Sequence, residues 1–120
     1  SINVMAAKTY TDELNQIVSR ILELNPHKIF LFGSQAAGTS TEDSDIDLLA
    51  ILDSNNISRD YEEKMRNTLA VRKSIYEINK RIPIDLIVYT KAEYEVIEKE
   101  ETSFSKEIKN TGRILYEKAS

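Results

Sequence analysis

The stretch Ser44-Asp45-Ile46-Asp47-Leu48-Leu49-Ala50-Ile51-Leu52 limits the fold more than any other part of the chain. A short apolar run of this kind, bounded by polar residues, reads as a buried strand over Asp45–Leu52. Aspartate is depleted in strands, yet here two occupy positions i and i+2. Strand side chains alternate between faces, so both carboxylates point the same way. Two like charges so placed repel, and at neutral pH the arrangement needs partial protonation or a bound cation. Oxygen donors without sulfur or imidazole suit Mg²⁺ or Mn²⁺. The oddity recurs in Ile82-Pro83-Ile84-Asp85-Leu86-Ile87-Val88-Tyr89, where Asp85 interrupts a second apolar strand. If the strands share a sheet, the three carboxylates can converge; the alternative is three separate charges at strand ends, open to water.

The other elements follow from periodicity and punctuation. Thr11 can cap a helix whose apolar stripe is Leu14, Ile17, Val18, Ile21 and Leu22, ended by Asn25-Pro26. Lys28–Phe32 reads as a strand stopped by Gly33 and Ser34, with one helical turn over Gln35–Gly38. A long helix is expected over Arg59–Lys80, with Tyr61, Met65, Leu69, Arg72 and Tyr76 along one side. Pro83 fits the start of the strand Ile84–Tyr89. Thr90 and Glu93 form a capping-box pair for a helix from Lys91. A further helix over Ser103–Asn110 ends near Gly112, read as a left-handed cap, and Arg113–Tyr116 adds a last strand. Strands alternate with helices, which predicts a layered α/β (α+β) domain: a small mixed sheet of about four strands with helices on one face.

Composition narrows the function. A chain of 120 residues gives one domain, 1–120, with residues 1–9 expected to be a loose N-terminal segment. The longest apolar run, Leu48–Leu52, is far short of the ~18 residues that cross a bilayer, and no apolar segment of a secretory signal follows the N-terminus. A cytoplasmic location is expected. The absence of cysteine excludes disulfides, thiolate zinc sites and a thiol nucleophile. The single histidine, His27, reads as a loop or strand-edge residue. A net charge of −4 disfavours bulk electrostatic binding of nucleic acid. The charge is uneven, however. Lys64 to Arg81 holds six bases and one acid, which is either a solvated helix face or a positive surface for phosphates or an acidic partner. The glutamates of Glu93–Glu101 read as a solvated helix face, and most of the six tyrosines as packing.

Gly33-Ser34 lies between a strand and a helical turn. Glycine admits close approach of a phosphate to the backbone, and backbone amides beside a serine hydroxyl can make an anion site. Ser44, just before the acidic pair, steadies the loop or touches a phosphate, and Thr39, Ser40 and Thr41 form a polar loop within reach of the same place. An ordinary strand-to-helix turn would have the same glycine and serine. What sets this turn apart is the spacing: ten residues, Gln35–Ser44, separate it from Asp45-Ile46-Asp47.

Taken together, Leu31-Phe32-Gly33-Ser34, Gly38, Ser44-Asp45-Ile46-Asp47-Leu48-Leu49 and Ile84-Asp85-Leu86-Ile87 resemble the nucleotidyltransferase superfamily typified by DNA polymerase beta. The length is similar to its small stand-alone branch, the minimal nucleotidyltransferases, and the likeness covers about residues 10–118. The resemblance implies that Gly33 and Ser34 hold the terminal phosphates of a nucleoside triphosphate, with ATP the first candidate. It implies that Asp45 and Asp47 bind two Mg²⁺ ions (Mn²⁺ as an alternative), and that Asp85 completes the metal site and helps deprotonate the acceptor hydroxyl. Two such ions turn the repulsion between carboxylates and triphosphate into attraction. The chain departs from the family at one place: Gly33-Ser34-Gln35-Ala36-Ala37-Gly38 carries Ala37 where members often have arginine.

The implied reaction is transfer of NMP to a hydroxyl with release of pyrophosphate. Larger members bind the acceptor on an extra domain that this chain lacks, so a protein partner or a second copy is expected. Small members often accompany a HEPN-domain protein as a toxin–antitoxin pair, which suggests AMP transfer to a tyrosine of the toxin. Two other readings stay open. One is a non-catalytic antitoxin or regulatory subunit that keeps the fold and the metal site. The other is a small-molecule adenylyltransferase completed by homodimerisation.

Overall fold

The computed structural model describes residues 10–38 and 45–119; the expectations for residues 1–9, Thr39–Thr41 and Ser44 lie outside them. Four strands, β1 (Pro26–Phe32), β2 (Ile46–Leu52), β3 (Ile84–Thr90) and β4 (Arg113–Glu117), form one mixed sheet in the order β3-β2-β1-β4. β1 runs antiparallel to both β2 and β4, while β2 and β3 are parallel. A parallel pair cannot be joined by a hairpin. The crossover is made by α3 (Tyr61–Ser74) and the short α4 (Tyr76–Asn79).

The mixed four-stranded sheet agrees with the sequence expectation, but helices lie on both of its faces rather than one. Ile46, Leu48 and Ala50 of β2 join Ile29, Leu31 and Val88 against Ile17 and Ile21 of α1 (Thr11–Ile21), Val71 of α3 and Ile78 of α4. The opposite face, Phe30, Leu49 and Ile51, is covered by Tyr94 of α5 (Lys91–Lys99) and Ile108 of α6 (Ser103–Thr111). This double cover explains why β2 is apolar at every position after Asp47: a strand buried on both faces has no solvent side to mark by alternation.

Three local expectations are corrected. The N-cap of α1 is Tyr10, without a side-chain cap bond, rather than Thr11, which is the first helical residue. The expected Arg59–Lys80 helix begins after Asp60, whose carboxylate accepts the Glu63 N–H at 2.9 Å, and breaks at Ile75, which leaves α-helical geometry (φ −111°, ψ 14°). Gly112 is extended (φ −68°), not left-handed. Its need for glycine is steric, since an added Cβ would come within 2.5 Å of the Ile108 carbonyl oxygen.

The capping box of α5 is present as expected, but Glu93 is not on a solvated face. Its carboxylate accepts the N–H groups of Thr90 (2.8 Å) and Ser58 (2.9 Å) and pairs with Lys64 (3.3 Å). Burial pushes Glu93 upward, but these hydrogen bonds and the Lys64 charge outweigh it and hold the carboxyl down at about 2. Burial in turn lowers Lys64, against the pull of Glu93. The Lys64 ammonium also donates to the Val88 carbonyl and lies over the Tyr89 ring, so α3 is fastened to the outer edge of β3.

Candidate active site

The parallel register of β2 and β3 sets Asp47 directly beside Asp85. Neighbouring strands lie about 4.8 Å apart, and both side chains project on the α5/α6 face, so the two carboxylates meet and share a hydrogen bond. Partial burial is the largest influence on Asp47, followed by the Asp85 charge and that bond, with smaller effects from Asp45 and from Glu107 of α6; together they raise Asp47 to about 6. A cation placed beside the pair would offset the repulsion that raises Asp47.

Gly33 forms the floor of this pair. It begins the short α2 (Gly33–Ala37) at φ +70°, a left-handed conformation that favours glycine. The approach is also too close for any side chain, because a Cβ at Gly33 would lie 2.2 Å from Oδ2 of Asp47. Ser34 follows in the same turn and is partly buried, while Ala37 is exposed. The β1–β2 pairing that sets Phe32 opposite Asp47 delivers the turn to the carboxylates.

Of the residues singled out in the sequence, Gly33 and Asp85 each adjoin Asp47. Asp45 stands exposed just before β2 and reaches the site through its charge. Among the described residues no three or more His, Asp or Glu side chains are gathered closely enough to hold a metal ion by themselves, so the expected convergence of three carboxylates is met only by the Asp47–Asp85 pair. Mg²⁺ is commonly held by one or two carboxylates plus waters and substrate phosphates, and an all-oxygen pair of acids that repel one another fits that mode. Sequence reasoning missed Glu107. It arrives on α6, which is seated over the site by an edge-to-face contact of Phe104 with Phe32, ring centroids 5.3 Å apart, and no local motif marks it.

A separate cavity of about 600 Å³ opens on the same sheet face, bordered by His27, Lys28, Phe30, Ile51, Tyr94 and Ile108. The four residue steps from Asp47 to Ile51 place it roughly 13 Å along the strand from the carboxylates, with Leu49 of the core between.

The family model described as "Polymerase beta, Nucleotidyltransferase" matches residues 13–120. No curated protein matches the sequence at a significant level. Among solved structures, a candidate nucleotidyltransferase from Sulfolobus solfataricus superposes with a TM-score of 0.54 at 17% identity, covering 90% of this chain and 83% of its own. A toxin–antitoxin crystal structure with AMP-PNP gives a TM-score of 0.53 at 18% identity, over 88% of this chain and 73% of that one. A mutant of the toxin–antitoxin MntA–HpeT gives 0.52 at 15% identity, with the same coverages. At these identities the likeness is one of fold. No helix among the described residues is long and apolar enough to cross a membrane.

Proposed function

The chain belongs to the polymerase beta nucleotidyltransferase family, and from that premise we propose that it transfers AMP from ATP to a hydroxyl of a protein partner, as the antitoxin of a toxin–antitoxin pair. The observation that carries this reading is the contact of Asp47 with Asp85 against the Gly33 turn. In the proposed reaction the acceptor hydroxyl oxygen bonds to the α-phosphorus, the bond from that phosphorus to the bridging oxygen breaks, and pyrophosphate leaves. The hydroxyl proton passes to a carboxylate oxygen of Asp85. Gly33 and Ser34 offer backbone amides and a hydroxyl to the terminal phosphates.

Asp45, Asp47 and Asp85 would hold two Mg²⁺ ions, which when bound supply the positive charge that offsets triphosphate and carboxylates. Asp85 is exposed, so an acceptor can reach it. The described residues form a single sheet with its helices, and we propose that the acceptor is brought to it by another molecule. The toxin–antitoxin neighbours support a protein in that role, and a HEPN-domain toxin modified on tyrosine is the partner we propose.

The test mixes the protein with ATP, Mg²⁺ and the product of the adjacent reading frame, and weighs that product by mass spectrometry. An added AMP that disappears with Asp45→Asn, Asp47→Asn or Asp85→Asn is expected. Ala37, which offers phosphate no charge, favours a second reading in which the partner is masked by contact alone. Neutralisation of the partner that survives all three substitutions, with no added mass, would establish it.

A further inference from the structure

The crossover helices carry a face that the fold leaves uncovered. A surface helix ordinarily turns its apolar stripe inward, and Val71, Ile75 and Ile78 do so here. A second stripe points out. Tyr61 is 75% exposed, Leu69 44% and Tyr76 57%, with Met65 half-buried between them and Ile57, 58% exposed, just ahead of α3. Of the seven large apolar side chains exposed among the described residues, four fall in this one stretch, so the exposure is concentrated rather than scattered. From Tyr61 to Tyr76 the stripe runs roughly 22 Å at helical rise.

The same face is positive. Arg66, Arg72 and Lys73 are exposed and form no close ion pair among the described residues, although the Arg66 charge is felt by Glu63. Lys80 lies over the Tyr76 ring at 5.2 Å and pairs with Glu77. This local excess of positive charge stands on a chain of net charge −4. Tyrosine and arginine around an apolar centre are the composition of protein interfaces. Nucleic acid fits less well, because the two exposed rings, Tyr61 and Tyr76, stand at opposite ends of the stripe with aliphatic side chains between them, and three cations make a short phosphate track.

We propose that the α3–α4 face is the docking surface for an acidic protein partner, one that presents an apolar ridge flanked by aspartate or glutamate. The face ends at the turn into β3, where the Asn79 side-chain oxygen accepts the Ile84 N–H at 3.0 Å, one residue before Asp85. A partner seated along the stripe ends at the start of β3, on the sheet face opposite the one onto which Asp85 projects, and reaches that carboxylate only around this edge strand. The inference rests on the proposed function only for the partner's being the acceptor.

The experiment replaces Leu69 by the photocrosslinker p-benzoylphenylalanine in the full chain, irradiates cells of the source organism and identifies the adduct by mass spectrometry, with Val96 on α5 replaced in parallel as control. The expected result is a crosslink from position 69, absent from position 96, to an acidic segment of one protein. In the variant Arg66→Glu/Arg72→Glu/Lys73→Glu that protein should bind roughly tenfold more weakly or worse, as expected when complementary interface charges are reversed. An unchanged melting temperature and unchanged calorimetric titration with ATP and Mg²⁺ show that the variant is folded. Absence of a crosslink at position 69, an adduct with nucleic acid or with a second copy, equal crosslinking at both positions, or binding that survives the charge reversal overturns the proposal. Asp85→Asn separates it from the catalytic reading: transfer lost with the crosslink kept is expected, whereas docking by a wild-type chain that never modifies its partner rejects only the catalysis.

Discussion

The carboxylate of Asp47 occupies the space where a side chain at position 33 would begin: a Cβ on Gly33 would stand 2.2 Å from its Oδ2. Gly33→Ala must therefore displace Asp47 and also hold alanine at φ +70°. The backbone conformation alone costs about 1–2 kcal/mol. A lower melting temperature is expected, together with transfer reduced by at least about a hundredfold, because misplacement by an ångström is enough for that loss. Gly38→Ala is the control. It too has positive φ (75°), but an added Cβ there meets nothing within 4 Å, so it should lower stability alone.

Asp47 is raised from 3.8 to about 6, and the sign of its effect on stability follows. The folded state binds the proton more tightly than the unfolded chain, so the favourable contribution is complete below about pH 4 and is lost as pH rises through 6. Asp47→Asn removes the charge that causes the loss. In metal-free buffer the variant should melt higher than wild type at pH 7.5 and about the same at pH 4. Added Mg²⁺ should narrow the gap at pH 7.5 by stabilising only the wild type. Thermal melts at the two pH values, with and without Mg²⁺, measure both effects.

Glu93 carries the opposite sign. Its folded value, about 2 against an ordinary 4.5, gives stability that is present above pH 4.5 and lost as pH falls through 2. Glu93→Gln should destabilise the protein at pH 7 by about 1–3 kcal/mol, the range for hydrogen bonds to a charged group, and by much less at pH 2.5. Urea unfolding at both values checks it. Lys64→Met should also destabilise at pH 7, since it leaves the Glu93 carboxylate without its counter-ion.

Ala37 ends α2 and faces solvent, so a longer side chain can be accommodated there. Ala37→Arg restores the cation that the family resemblance expects in this turn. It should lower the KM for ATP severalfold, leave the melting temperature within a degree or so, as surface changes usually do, and have no effect once Asp47→Asn has removed the site. Steady-state kinetics with the partner protein measures this.

The parts of the fold that were legible in the sequence are those written in local chemistry. The acidic start of β2, the glycine after β1 and the Thr90–Glu93 box each announce themselves within a few residues. The match of Asp47 to Asp85 could be anticipated only on the condition that β2 and β3 share a sheet, because register is set by packing across the whole domain. The two-sided helical cover was hidden for the same reason: an unbroken apolar strand such as Leu48–Leu52 does not say what lies on either face. Glu107 and the ties from Glu93 to Ser58 and Lys64 join residues far apart in the chain and leave no local trace. The stripe of Tyr61, Leu69 and Tyr76 was legible as a stripe, but its direction was not, since periodicity fixes a face without saying which face is inside.

The parallel pairing of β2 with β3 also governs when the carboxylates can meet. The strands come from different thirds of the chain and can pair only after α3 and α4 have been made and laid across the sheet. Parallel, long-range pairings are slow to form because loop closure must precede the contacts that reward it. A chain still emerging from the ribosome, with β1 and β2 complete, has Asp45, Asp47 and the Gly33 turn but lacks Asp85. Under the proposed mechanism, chemistry at this site is thereby withheld until synthesis has passed β3, so an immature chain would not act on whatever it meets.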